Sequence, residues 1–533
     1  MGLKKPSSFG ERLKNAVGVQ GSFKESIMPM IGYNSASILF GGESYIISTY
    51  FLAFLTEVEN LTVAQAGMVI MFAQFWDAVT DPMMGIITDR TKSKYGRHRK
   101  YLLLGILPVG LSFFMLWYSF GISSLGNSAY TMVYYIIAYM LFNTSLTVVN
   151  VPHTAMLPGL APEYFLRTQY KSIEYIINSI GMVSSFLLVS LSLGFLDMDI
   201  LTYQMRGKFM VLGIILALWF SIPLLYTFKS TSEPSSLDMG VPEFNFHEFI
   251  KEYKLVFKNK SFRRYFLISL FYMMCRGFCN NSRQYFVRYM AKKPGSYNII
   301  VSIAGIAEAA GFPLNYALTK KFGKQKCGKL LTPIMIAGIL LNLLINSSLL
   351  STQSAPISFL KFDPTMIIMV IAVVLYSFGS SGLGFVSSNI QPDVTDVDEL
   401  ISGRRREGVI STFNSLIKKS VNGLMASFTG LILDRFGFET GKGSVNQTPK
   451  ALRGLRLTYI ILPAFFGLLS LFSIYRYKMT KDQHKMIKEI IAQRHEHGSA
   501  CLSNNQIEQI EDLAGQRFDE MWIGTKEKVV TEN

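Results

Sequence analysis

Long apolar stretches, each parted from the next by a short polar run, recur along most of the chain. Twelve apolar windows can be drawn, near 28–56, 63–88, 101–121, 128–150, 170–195, 207–228, 264–290, 297–319, 330–350, 364–390, 408–433 and 453–477. A helix needs about 20 residues to cross the hydrocarbon core of a bilayer, so twelve spans use roughly 240 residues, which this chain can supply. Between windows six and seven lies a polar stretch, 229–262, with Ser-Glu-Pro-Ser-Ser followed by an amphipathic piece rich in His, Glu and Lys. That is where a linker between two six-span halves belongs. A faint repeat agrees with the halving: Glu163 and Arg167 open span five, and Asp398, Glu399 and Arg404 open span eleven. The expected organisation is an N-terminal segment (1–27), a first six-helix half (28–228), the linker (229–262), a second half (263–478) and a polar tail (479–533) with helical patterning in Asp482–Gln493 and Gln506–Glu520.

Composition narrows the classes. Half of the residues are apolar, 13% are aromatic and 17% are charged, against about 25% charged in an average soluble domain. Such a chain is too apolar and too long for one water-soluble core. The net charge of +16 is shared by nucleic-acid binders, but here the bases sit in short runs between apolar windows, as loops do. Four cysteines with no paired spacing in a polar segment argue against an extracellular disulfide framework. A soluble enzyme, a secreted module and a disordered scaffold are thereby excluded, and no nucleic-acid partner is expected. The loops after spans two (Asp89–Lys100), eight (Lys320–Lys329) and ten (with Arg404, Arg405 and Arg406) are basic, while the loop after span three has no base. Lys and Arg are retained in the cytoplasm, so both termini are expected there, in a multi-pass protein of the cell membrane. The first residues are polar and basic, with no apolar core ending in a cleavage site, so no signal peptide is expected.

Several polar side chains fall inside the windows. Asp77 and Asp81 are four apart and project from one helix face, one turn apart. A charge at the bilayer centre costs about 2.5–3.5 kcal/mol on the lenient insertion scale, and two like charges also repel. A bound Na⁺, a shared proton or a nearby Lys relieves that repulsion; alternatively Asp81, just before Pro82, lies wet at the cytoplasmic mouth. Span four offers Thr147 and Asn150 before the helix-interrupting Pro152, oxygens suited to a hard monovalent ion, unless Thr147 bonds its own helix backbone. Lys418 and Lys419 are about 100° apart on a helix, so one of them can face a cavity directly. Glu43, Glu174, Asn178, Arg276, Asn280, Arg283 and Glu308 are further candidates for a pocket. Arg276 and Arg283 share a face and either hold a carboxylate or pair with Glu43, Glu174 or Glu308. Cys275 and Cys279 read as core fillers. His495, His497 and Cys501 in the tail fit no established metal spacing. No nucleophile–base set lies in the spans, so no enzyme and no cofactor are expected.

Two motifs carry a resemblance. Gly85-x-x-x-Asp89-Arg90, followed by Gly96-Arg97, is similar to the loop signature of the major facilitator superfamily. The preceding Trp76-Asp77-Ala-x-x-Asp81-Pro82, with Asp393, Asp396, Asp398-Glu399 and Gly403-Arg-Arg-Arg-Glu-Gly408 in the second half, resembles the glycoside–pentoside–hexuronide:cation symporters, the melibiose permease-like branch of that superfamily. The resemblance implies an all-α membrane protein of the major facilitator superfamily fold, twelve transmembrane helices in two six-helix halves. It places Asp77, Thr80, Asp81 and Thr147 on positions that line the family's cation site, and Lys419 on a span-eleven lysine that couples cation and substrate.

The sugar side departs from the family pattern. Gly41 stands where the family has a span-one aspartate, with Glu43 two residues on; Asn150 replaces an aspartate, Thr154 a sugar-stacking tryptophan and Glu174 an arginine. Asp89, Arg90, Arg97, Glu163, Arg167, Asp398 and Arg404 are expected to form salt bridges that latch the cytoplasmic ends and break as the halves rock. The function implied is secondary active symport of a glycoside, oligosaccharide, pentoside or hexuronide with Na⁺ or H⁺ by alternating access, in a monomer embedded in the lipid bilayer. The alternatives are a lysolipid-type carrier on the same fold and a non-transporting membrane solute sensor.

Overall fold

A computed structural model describes residues 27–161, 164–193, 205–233, 254–345, 364–439, 447–497 and 502–524. Every described element is a helix or helical turn. In the first half these are α1 (Met28–Asn34), α2 (Ser37–Ile46, continued by π turns Ile47–Phe51 and Phe54–Val58), α3 (Val63–Asp89), α4 (Arg99–Met115), α5 (Ser128–Leu160), α6 (Tyr164–Leu193) and α7 (Arg206–Ser230). The second half has α8 (Lys260–Tyr285), α9 (Tyr297–Phe322), α10 (Lys324–Leu341), α11 (Pro364–Ser402), α12 (Glu407–Arg435), α13 (Pro449–Arg456) and α14 (Leu462–Arg476), and the tail adds α15 (Lys481–His497) and α16 (Asn504–Ala514).

Seven stretches, in α5, α6, α7, α9, α10, α11 and α13–α14, are long and apolar enough to cross a membrane on length and composition alone. The other five expected windows are helical too, and their sequences explain why they stand apart. The α1–α2 span is segmented, α4 has only 17 residues, α3 carries Gln65, Gln74, Asp77 and Asp81, and α8 and α12 carry several bases. Each of the twelve windows thus falls mainly on helix among the described residues, and seven of them meet the length and polarity of a membrane span. Their outward faces keep large apolar side chains uncovered, such as Leu107, Leu191, Ile222 and Ile306, which water disfavours and lipid accepts.

Polar caps set the helix starts. Thr62 and Gln65 form a reciprocal capping box on α3, Asn127 caps α5, Asn259 accepts from Ser261 and Phe262 at the head of α8, and Thr448 caps α13. Each satisfies donors that the first helical turn leaves without partners.

The contacts divide the chain into two compact units, one holding the described residues up to 233 with Ala426–Asp434, the other holding most of the remainder. In the first unit α2 packs on α6, α3 on α5 and α4 on α7. The α2–α6 backbones touch directly: a Cβ on Gly41 would overlap the Asn178 carbonyl, and one on Gly181 would overlap that of Ile38. Phe51, Phe54, Phe113, Trp117, Tyr135 and Phe209 fill one end of this unit. Beside them the buried Glu59 takes the Arg206 guanidinium through both oxygens, at 2.9 and 2.6 Å.

In the second unit α11 packs on α9 and α10, and α8 on α14. At 39 residues, α11 is about 58 Å long, so one end extends well past a hydrocarbon core of about 30 Å. That overhang carries Asp393, Asp396, Asp398 and Glu399, all buried. The tail folds back onto it: His484 Nε2 lies 2.8 Å from Asp396, and His495 Nε2 lies 3.1 Å from Glu399. Lys260 donates to Asp512, and the Ser261 hydroxyl to the Leu513 carbonyl, each at 2.7 Å.

Candidate functional site

The middle of α3 faces the middle of α5 through a ladder of polar contacts. The Asn143 amide donates to the Ala73 carbonyl at 2.9 Å, and Trp76 Nε1 donates to the Thr144 hydroxyl at 2.8 Å. One turn on, the Thr147 hydroxyl lies 2.9 Å from Oδ1 of Asp77 and 2.9 Å from Oδ1 of Asp81. The two carboxylate oxygens are therefore no farther apart than twice that distance. Thr144 and Ser145, its neighbours, bond back to their own helix at Met140 and Leu141, whereas Thr147 points across to the acids. Thr147 is buried, and Asp77, Thr80 and Asp81 are half-buried. Asp77 sits about 20 Å from either end of α3 by helical rise. The Thr80 hydroxyl bonds the Asp77 backbone carbonyl at 3.3 Å.

One hydroxyl hydrogen serves one acceptor at a time. A neutral hydroxyl between two ionised carboxylates donates to only one of them at a time, in surroundings drier than bulk water. A cation or an added proton at this spot relieves the repulsion, and the hard oxygens of two carboxylates and a hydroxyl suit a small alkali ion.

Glu43 is buried on α2, with Ser44 donating to it at 3.1 Å. Asn150 presents an exposed side chain and accepts from Thr154 through its backbone. Glu174 pairs with Lys171 one turn back on α6 at 2.7 Å, and Asn178 meets α2 through its carbonyl at Gly41. Within the second unit, Arg276 Nη1 is 2.6 Å from Glu308 and donates to the Tyr272 hydroxyl, which in turn donates to the Ser380 carbonyl. This chain ties α8, α9 and α11 together, with Glu308 as the partner among the three acids considered. On α12, Lys418 is exposed and Lys419 half-buried, about 100° apart around the helix. Cys275 and Cys279 are both buried.

Asp89 lies 3.8 Å from His98, Arg90 is exposed, and Arg97 is half-buried. Glu163 lies outside the described residues, as does Cys501, and the Arg167 side chain is likewise not described. Asp398, fully buried, is held by both nitrogens of the Arg406 fork, each at 2.8 Å. Arg404 is exposed and meets Ser402 through its backbone. The Arg405–Asp396 contact at 3.4 Å and the Lys324–Asp393 contact at 2.7 Å complete the set around the overhang. His495 meets a carboxylate and the Trp522 ring rather than a metal set, and no metal-holding cluster occurs among the described residues.

Three features escape a reading by motif. Asn143 stands one turn before Thr147 on the same face, so helical spacing alone could have raised it. Arg406 lies in a non-helical turn, where spacing says nothing about direction. Glu233 is the third. It accepts the backbone N–H groups of His98 and Arg99 at 3.0 and 2.9 Å and lies 2.7 Å from His98 Nδ1. It thereby closes the start of α4 from 135 residues away.

Known proteins of similar sequence cover nearly the whole chain. An uncharacterized symporter of Bacillus subtilis (strain 168), YnaJ, is 25% identical over 472 residues, 88% of this chain and 95% of its own. The isoprimeverose transporter of Lactiplantibacillus pentosus is 24% identical over 465 residues, 86% of this chain and 90% of its own. Among solved structures, the nucleoside transporter NupG superposes with a TM-score of 0.59 at 14% identity, over 85% of this chain and all of that one, a likeness of fold. The chain is thus a multi-pass membrane transporter with the major facilitator fold, and not an enzyme. Residues 32–481 match the MFS/sugar transport protein family, and the chain belongs to that family of symporters.

Proposed function

We propose that the protein couples the inward movement of a glycoside-like solute to that of a cation, Na⁺ or H⁺, bound at Asp77 and Asp81. The observation that carries this reading is the single Thr147 hydroxyl set 2.9 Å from an oxygen of each carboxylate. Two like charges this close repel in a poorly hydrated place, and a cation set between them would take the three oxygens as ligands. Binding of the ion then favours one arrangement of α3 against α5, and that difference in affinity is what links ion to solute. The membrane potential adds about 2.3 kcal/mol per charge per 100 mV. The basic loops support a cytoplasmic location for both termini, and the resemblance to a carrier of isoprimeverose supports a sugar-containing solute.

The test is uptake of labelled glycosides into energised vesicles, with and without Na⁺ and with an uncoupler. Asp77→Ala and Asp81→Ala are expected to abolish accumulation against a gradient. Thr147→Val, which keeps the shape but loses the hydroxyl, is expected to lower it at least about tenfold, with recovery in Thr147→Ser. Undiminished accumulation in both aspartate variants overturns the assignment.

A further inference from the structure

Arg283 lies one turn past Cys279 on α8, near the end of the helix remote from Lys260. The other ion pairs of this helix are accounted for: Lys260 and Arg264 meet Asp512, and Arg276 meets Glu308. Around Arg283 the electrostatic neighbours are Tyr459, Tyr376, Tyr297 and Cys279, and no acid among the described residues comes within ion-pair distance of it. Its guanidinium sits over the Tyr376 ring, 5.5 Å from the centroid. Two donors are closed off from solvent there without a hydrogen-bond partner: Arg283 Nε and the Tyr376 hydroxyl, on a residue only 7% exposed. Both residues line one small cavity with Cys279, Asn342, Val373 and Tyr459. Its accessible volume is about 10 Å³, room for one particle of about water's size.

We infer that this cavity is a binding site for a small monovalent anion, chloride in the first instance. The walls supply donors and a positive charge, so the occupant must accept hydrogen bonds, and a negative one also balances the guanidinium. The Asn342 amide N–H group donates back to the Gly338 and Ile339 carbonyls, at 3.0 and 3.2 Å, and so is not a ligand of the occupant. A water molecule satisfies the donors but leaves the charge unbalanced in an apolar setting made by Ile339, Ala372 and Val373. At about 10 Å³ of accessible volume the cavity favours a single small anion over one of many heavy atoms. The site lies wholly within the second unit and is independent of the acids on α3.

Thermal unfolding of the full-length protein in matched sodium chloride, bromide and gluconate tests the site. The midpoint is expected to rise with chloride and with bromide, saturably, and not with gluconate, since a ligand of the folded state stabilises by mass action. Tyr376→Phe removes only the hydroxyl, and Arg283→Gln removes the charge together with the guanidinium donors. Each should raise the halide concentration for half effect at least about tenfold. Anomalous scattering from bromide-grown crystals should place a peak between Arg283 Nε and the Tyr376 oxygen. Equal midpoints in chloride and gluconate, or a halide response that survives both substitutions, overturn the proposal and leave water as the occupant. Should Arg283→Gln fail to fold, Tyr376→Phe and the bromide peak decide alone.

Discussion

Thr147 has one hydrogen for two carboxylate oxygens, and that arithmetic at a single atom gives the α3–α5 face its chemistry. A glycine decides the neighbouring α2–α6 face by having nothing to place there. By the sequence resemblance Gly41 would stand where an acid is expected, yet here a Cβ would already overlap the Asn178 carbonyl. Restoring the acid therefore cannot restore a sugar contact without parting two helices. Gly41→Asp is expected to destabilise the protein by about 1–3 kcal/mol through overpacking alone, seen as a lower thermal midpoint. At Gly85, the glycine of the facilitator loop motif, an added Cβ would meet no heavy atom within 4 Å. Gly85→Ala should leave the midpoint unchanged or raise it slightly, since alanine favours helix by about 1 kcal/mol. Equal losses from the two substitutions would show that the α2–α6 contact is not tight.

At the scale of elements, α4 shows how a distant residue can finish a helix. Its first turn has no side-chain cap of its own, and Glu233, just past the end of α7, accepts the N–H groups of His98 and Arg99. Arg99 returns the contact by donating to the Phe228 carbonyl at 2.9 and 2.7 Å. Gly96, at φ +89°, lies where a Cβ would overlap that same carboxylate, so the loop closes only with glycine there. Burial pushes the Glu233 carboxyl up, but the hydrogen bonds from His98 and Arg99 outweigh it and hold the group below the ordinary value of 4.5. A depressed value means that the clasp stabilises the fold above the unfolded-state value and fades as pH falls through the lower folded value. Glu233→Gln should cost about 0.5–2 kcal/mol at neutral pH, the usual worth of a helix cap. The gap should persist down to about pH 5 and close only below 4.5. A gap that closes between pH 7 and 6 would assign the stability to another group.

For the whole molecule, the helical spans were legible because a bilayer demands some twenty apolar residues at a time, and sequence displays length and polarity directly. Asp77 and Asp81 were legible for the same reason, as charges on one face where charge is costly. Their partner on α5 was not fixed by spacing, since Thr147 could equally have bonded its own backbone, as Thr144 does. The tail was least legible: its histidines and lysines announce charge but not direction. In the folded chain they answer a concentration of opposite sign, because Asp393, Asp396, Asp398 and Glu399 crowd the overhang of α11 and are all buried. Lys324, Arg405 and Arg406 meet part of that charge from nearby, and His484 and His495 meet part from the tail. A second foothold sits at Asp512, whose carboxyl the Lys260 ammonium holds below the usual aspartate range. Trp522 adds a third by lying against Gly403, where a Cβ would overlap its ring. Removing two footholds together, His484→Ala with Asp512→Asn, should therefore loosen α15 and α16 while the spans stay folded. Amide hydrogen exchange is expected to lose protection across 481–497 and 504–514 by at least about tenfold, which corresponds to ~1.4 kcal/mol. Asp519→Asn, in an exposed pair with Arg517 at 3.3 Å, should leave that protection unchanged, because such surface pairs contribute little. Were the tail amides of the unsubstituted protein to exchange as fast as an unfolded chain, the overhanging acids would have to be neutralised by some other means than this docked segment.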